Sequence, residues 1–193
     1  PRRLQGALGT DAISVHHVAL APPGFDARFS ALSRTYEYRI ADLAARKNPL
    51  HRKFSVVSPY RLDEQRMNEL GVALLGLHDW AAFCRPRVAA TTIRKLQSFS
   101  WIRNAEGVLI ATVKADAFCR SMVRSLVGSA VAVGRGKITV DDVARVREQK
   151  ARVSQWPVMP AKGLTLVSIE YPPEADMAQQ ALDTRARRTL TSD

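Results

Sequence analysis

The arrangement that most limits the fold of this chain is a period-two apolar pattern that runs straight into a period-3.6 one. Over residues 107–117, Leu109, Ala111, Val113, Ala115 and Ala117 fall on one face, as in a half-buried strand. The run that follows is Phe118-Cys119-Arg120-Ser121-Met122-Val123-Arg124-Ser125-Leu126-Val127-Gly128. There Met122, Val123, Leu126, Val127, Ala130 and Val131 recur at helical spacing, so a strand feeds directly into a largely apolar helix. Arg124 stands at the border of that stripe. Two readings of it are open: a side chain snorkelling off the helix into solvent, or a guanidinium inside a cleft that orients a carboxylate.

The rest of the chain alternates between the same two periods. Residues 2–8 read as the end of a helix, and residues 13–20 set Ile13, Val15 and His17 against Ser14, His16 and Val18, which predicts a strand closed by Pro22-Pro23-Gly24. Further strands are predicted at 35–40 and 53–58. Asp63 is a cap for a helix with Met67, Leu70 and Leu74 on one face, ended by Gly76. Residues 92–102 and 107–117 pair through the turn Asn104-Ala105-Glu106-Gly107. Gly134 stops the helix that begins near Phe118, and Thr139-Val140-Asp141-Asp142 opens another bearing Val143 and Val146. A last strand at 164–171 runs into Pro172-Pro173, and the polar residues beyond it read as a frayed tail.

Charge narrows the class of partner. Lys and Arg number 29 against 18 Asp and Glu, a formal net charge of +11, which points to a polyanion. The excess lies in the body of the chain, because after Pro173 the arginines Arg185, Arg187 and Arg188 are outnumbered by Glu174, Asp176, Asp183 and Asp193. Between Arg28 and Arg61 stand also Arg34, Arg39, Arg46, Lys47, Arg52 and Lys53, with only Glu37 and Asp42 opposing them. That stretch is a candidate phosphate track, although charge alone does not separate RNA, DNA and an anionic membrane. No apolar run approaches membrane-spanning length and no secretory leader opens the chain, so a cytosolic, soluble protein is expected. Cys84 and Cys119 form no CxxC pair and are expected to be reduced structural thiols.

Familiar catalytic motifs fail on inspection. Gly134-Arg135-Gly136-Lys137-Ile138 lacks the Ser or Thr and the strand-to-helix setting of a phosphate-cradling loop. His16, His17, His51 and His78 show no metal-ligand spacing, and no GxSxG elbow is present, so neither a metal nor another cofactor is expected.

Five segments in order resemble the TruA family of tRNA pseudouridine synthases. They are Phe25-Asp26-Ala27-Arg28-Phe29-Ser30-Ala31 with Arg34-Thr35-Tyr36-Glu37-Tyr38-Arg39-Ile40, then Gly76-Leu77-His78-Asp79-Trp80-Ala81-Ala82-Phe83, then Thr92-Ile93-Arg94. Lys114-Ala115-Asp116-Ala117-Phe118 leading into Met122-Val123-Arg124 comes next, and Gly163-Leu164-Thr165-Leu166 with Tyr171-Pro172 closes the series. The match spans nearly all of residues 6–172.

That resemblance implies an α+β fold, with a mixed, mostly antiparallel sheet, helices packed on one face, and an incomplete N-terminal side. It implies a remnant of an upstream half and a crossing strand at 1–24, a C-terminal catalytic-fold domain at 25–173, and a polar, disordered tail at 174–193. It implies a cofactor-free isomerase that turns uridine into pseudouridine in the anticodon arm of tRNA, cytoplasmic and homodimeric. Tyr36 matches the family's active-site tyrosine, and Arg124 the arginine that pairs with the catalytic carboxylate. Arg28, Arg34, Arg46, Lys47, Arg52 and Lys53 are then RNA-binding candidates. One element is out of place. The family's aspartate sits in a motif resembling Arg-Thr-Asp-Ala-Gly-Val-His, whereas Gly9-Thr10-Asp11-Ala12-Ile13 matches a later Leu-Pro-x-Asp-Ile turn. Asp11 is therefore expected to be a turn residue, with the nucleophile upstream of Pro1 and the chain inactive by itself. The competing function is a non-catalytic basic RNA-binding module.

Overall fold

The computed structural model describes residues 1–85, 87, 91–150 and 155–185. Its centre is a sheet built on β1 (Ser33–Ala41), β4 (Ile93–Arg103) and β5 (Leu109–Ala115). β5 lies between β1 and β4, and β3 (Gly76–Asp79) forms the edge beyond β4. The other side of β1 is shared by β6 (Leu164–Glu170) and by the short β2 (Val56–Val57). Every pairing is antiparallel except that of β1 with β2, so the expected mixed, mostly antiparallel sheet is what forms.

Register fixes which face is buried. Tyr36, Tyr38 and Ile40 stand opposite Val113, Ala111 and Leu109 of β5, which in turn face Phe99, Trp101 and Arg103 of β4. This face carries the core. The other presents Glu37, Arg39, Thr112, Lys114 and Ser100, as period-two alternation requires.

Two helices close the core face. α2 (Glu64–Ala73) starts at Asp63, whose side chain accepts from the Arg66 amide, and it buries Met67 and Leu70, with Leu74 at its C-terminal cap. α2 also protects the part of β4 that β3 leaves unpaired. The Asn68 side-chain amide donates to the Trp101 carbonyl at 3.0 Å and accepts from the Trp101 N–H at 2.8 Å, as a neighbouring strand would. Gly71 permits this approach, since a Cβ there would stand 1.9 Å from the Phe99 carbonyl oxygen.

α3 (Met122–Gly134) is buried at every position but Arg124 and Val131. Residues 155–160 cross over it. Trp156 Nε1 donates to Ser125 Oγ at 3.3 Å, and Gly128 leaves room for the Pro157 carbonyl, which a Cβ would meet at 2.1 Å. α4 (Val140–Glu148) begins with a complete Thr139–Asp142 capping box and buries Val143 and Val146.

Several expectations need correction. Residues 13–20 form no strand: Ile13, Val18 and Leu20 are exposed. In place of a partner strand, the Gln5 amide from α1 (Arg2–Leu8) donates to the Ile13 carbonyl at 2.7 Å and accepts from the Val15 N–H at 3.0 Å. The strand expected at 53–58 shrinks to Val56–Val57, because Asn48 and Pro49 set a 3-10 turn just before it. Residues 174–185 are not a frayed tail. After a 3-10 turn they form α5 (Met177–Arg185), which docks on residues 24–30, while 186–193 lie outside the described residues. Cys84 and Cys119 are not separate thiols: the turn at Ala81–Phe83 packs by α3 and brings them into a disulfide with Cα atoms 5.8 Å apart.

Candidate active site and RNA-facing surface

The strand-to-helix passage after β5 makes a sharp corner. Ser121 takes up a left-handed conformation, φ 71°, immediately before α3, a geometry that costs a non-glycine residue energy and often marks functional positions. The corner places Phe118 edge-on against the Tyr36 ring, with centroids 5.2 Å apart and planes at 86°. Tyr36 is half-buried, with Leu166 of β6 opposite it on one side and Val113 on the other.

Arg124 lies one turn into α3, and its Nη1 donates to the Met159 carbonyl at 3.2 Å. Its backbone carbonyl accepts from the Met159 N–H at 3.1 Å, so residues 159–160 are tied to the helix twice. The neighbouring Pro160 carbonyl accepts from the Tyr38 hydroxyl at 2.6 Å. Burial pushes the Tyr38 hydroxyl up to about 12, with the Arg124 charge pulling the other way. Tyr38 is the next residue after Tyr36 on the same face of β1, so the phenol that feels the Arg124 charge is the neighbour of the candidate tyrosine. Among the described residues no carboxylate lies within ion-pair distance of Arg124. It is half-buried, its side-chain bond goes to a neutral carbonyl, and a guanidinium has further donors to offer.

Asp11 sits in an exposed turn, with Thr10 Oγ1 accepting from the Ala12 N–H at 3.1 Å. Among the described residues no three His, Cys, Asp or Glu side chains gather as metal ligands, and no helix is long and apolar enough to cross a membrane.

The basic candidates divide into two groups. Arg28 and Arg34 lie at the start of β1: the Arg28 guanidinium sits 5.0 Å from the Phe29 ring centre, and Arg34 bonds to the Asp116 and Arg28 carbonyls. Arg46, Lys47, Arg52 and Lys53 are exposed on the loop between β1 and β2, where Arg46 N–H donates to the Glu106 carbonyl. The loop is anchored by Asp42, which is fully buried and accepts from Arg103 at 2.9 and 2.8 Å, from Leu62 N–H at 2.9 Å and from Ala44 N–H at 3.0 Å. Burial pushes its carboxyl up, but the Arg103 and amide hydrogen bonds together with the Arg103 charge outweigh that and hold it below the ordinary carboxylate range.

Sequence reasoning names Phe118 only as part of a motif and gives no role to Asp42, Arg103 or Arg185. Phe118 follows directly from β5 and was open to detection as an aromatic at a strand-to-helix corner. The Asp42–Arg103 pair joins residues too far apart in sequence for any local pattern to reveal it.

Comparison with known proteins bears on all of this. A family model described as tRNA pseudouridine synthase matches residues 71–172. A tRNA pseudouridine synthase A of Leifsonia xyli subsp. xyli is 50% identical over 190 residues, covering 98% of this chain and 66% of the relative. Proteins of the same name from Frankia casuarinae and Corynebacterium glutamicum are 48% and 47% identical, covering 97% of this chain and 68% and 66% of their own lengths. The chain thus spans about two thirds of the length of the curated relatives it matches.

Proposed function

We propose, from the premise that this chain belongs to the tRNA pseudouridine synthase family, that it supplies the tyrosine, the arginine and much of the RNA surface of an enzyme that isomerises uridine to pseudouridine in the anticodon arm of tRNA. The observation that carries this reading is the packing of Tyr36 on Phe118, with the next residue on that face, Tyr38, feeling the charge of an arginine whose side chain is bonded to a carbonyl rather than to an anion. In the reaction the N1–C1′ bond breaks, the freed base rotates, a C5–C1′ bond forms, and the proton on C5 is replaced by one on N1. The target base must leave the RNA stack to react, and Tyr36 offers it a flat ring, held at a set angle by Phe118. The nucleophilic aspartate comes from sequence upstream of this chain. Arg124 turns to it, pairs with it and keeps it ionised. The Tyr36 hydroxyl assists the proton movement that follows C5–C1′ bond formation.

Arg28 and Arg34 hold the backbone near the site, and Arg46, Lys47, Arg52 and Lys53, exposed on the loop between β1 and β2, hold a further stretch of it. The cytoplasm and a homodimer belong to the same reading, and light scattering of the purified protein tests the latter. Release of tritium from tRNA labelled at uridine C5 tests the activity. The chain with its upstream sequence is expected to release it. Tight tRNA binding without release by that longer protein would instead support the basic RNA-binding module.

A further inference from the structure

The contacts of α5 converge on the segment that precedes β1. Ala178 packs so closely on Gly24 that a Cβ on Gly24 would stand 2.6 Å from its own. Ser30 Oγ donates to the Met177 carbonyl at 2.9 Å, and Ala181 is buried. At the end of the helix Arg185 Nη2 meets Asp26 Oδ2 at 2.9 Å, with its guanidinium 5.0 Å from the centre of the Phe29 ring. The Arg28 guanidinium lies at the same distance from the same ring. Arg34 completes the group through its bond to the Arg28 carbonyl.

Three arginines therefore meet around the segment 26–34, and the Asp26 carboxylate among them is already occupied. Asp26 Oδ1 accepts from the Arg28 and Phe29 amides at 2.8 and 2.9 Å, while Oδ2 takes Arg185. The remaining cationic excess faces solvent, since Arg28 is exposed and half of the Arg185 side chain is accessible. The cluster also adjoins the candidate site. Arg34 precedes Tyr36 on the same face of β1, and its Nη1 holds the carbonyl of Asp116, two residues before Phe118.

We infer that Arg185 joins Arg28 and Arg34 in a site for one RNA phosphodiester beside the nucleotide at Tyr36, which makes α5 part of the RNA surface and more than a brace. A guanidinium seated over a ring and aimed by a carboxylate loses little freedom on meeting a phosphate, and its fork matches two phosphate oxygens. The inference rests on the isomerase reading for the identity of the RNA.

The test is a salt series of binding measurements, by fluorescence anisotropy, between the 193-residue chain and a labelled, unmodified tRNA transcript. Arg185→Gln is expected to lower the slope of log affinity against log salt by roughly 0.7–0.9, the value of one neutralised phosphate, while Arg185→Lys keeps it. An unchanged slope in Arg185→Gln overturns the inference. A second readout needs no variant: phenylglyoxal labelling of the wild-type chain, mapped by mass spectrometry, is expected to be several-fold slower at Arg185 when tRNA is bound. Equal labelling with and without tRNA also overturns it. Absence of tRNA binding by the wild-type chain removes this inference and the RNA-facing reading together. A slope change and protection of Arg185, found alongside an upstream-extended protein that makes no pseudouridine, sustain this inference and remove only the isomerase reading.

Discussion

Replacing Asp42 by Asn removes the anion that ties the end of β1 to α2 and to the basic loop. Both carboxylate oxygens accept a backbone N–H and an Arg103 N–H, so whichever way the new amide turns, its NH2 faces two donors. Removing one member of a buried pair costs roughly 3–5 kcal/mol. Arg103 is 24% exposed and keeps the Gly107 and Leu62 carbonyls, with Glu64 at 3.6 Å, so the lower end, about 3 kcal/mol, applies. For a chain of this size that is roughly 6–12 °C in Tm, read by circular dichroism at pH 7. The pH dependence has a definite sign. Because the folded carboxyl titrates below the unfolded value of about 3.9, its contribution is fully present above that value and is lost as pH falls through the folded one. Wild type and Asp42→Asn are therefore expected to converge in strong acid. Melting of the variant within about 2 °C of wild type at pH 7 would overturn this expectation, since it would put the pair at about 1 kcal/mol or less.

Gly128→Ala drives a methyl group into the Pro157 carbonyl and is expected to lower stability by about 1–3 kcal/mol or more, measured by urea denaturation. Changing Arg46, Lys47, Arg52 and Lys53 together to Gln is expected to flatten the salt dependence of tRNA binding by roughly 0.7–0.9 for each phosphate no longer neutralised; an unchanged slope would make them an ordinary solvated surface. In the protein with its upstream sequence, Tyr36→Phe keeps the stacking ring and is expected to retain RNA affinity while turnover falls. Arg124→Met is expected to abolish turnover near neutral pH by leaving the carboxylate without its cation, yet to cost the present chain only about 1 kcal/mol, the value of the bond to Met159. Comparable activity in either variant would remove that residue from the reaction.

Elements with strong periodicity and a chemical boundary were legible in the sequence. α2 and α4 announce themselves by Asp63 and Thr139, and β5 by a five-residue alternation of which the ladder to β1 reproduces four positions, Leu109 to Ala115. Tertiary contacts decided the rest. The alternation at 13–20 pairs with no strand and is met by the Gln5 side chain instead. β3 has only four residues without alternating burial and exists because β4 offers it an edge. α5 looks too polar to hold, but Gly24 lets it lie close and Asp26 caps the contact with Arg185. Tyr36 is a candidate by resemblance alone, whereas the border position of Arg124 on an apolar helix already marks it, with the resemblance choosing between its two readings. Their neighbours Phe118, Tyr38 and Met159 emerge only when strand, corner and crossing segment are assembled.

On the function proposed above, this chain holds the tyrosine and arginine of a uridine isomerase while the aspartate lies upstream of it. Tritium release from tRNA labelled at uridine C5, run side by side on the chain and on the same chain with its upstream sequence, tests this most directly. Release above background is expected only for the longer protein, with loss of that release in Arg124→Met. Robust release by the 193-residue chain alone would contradict it, and a further loss in Asp11→Asn would place the nucleophile at the exposed turn.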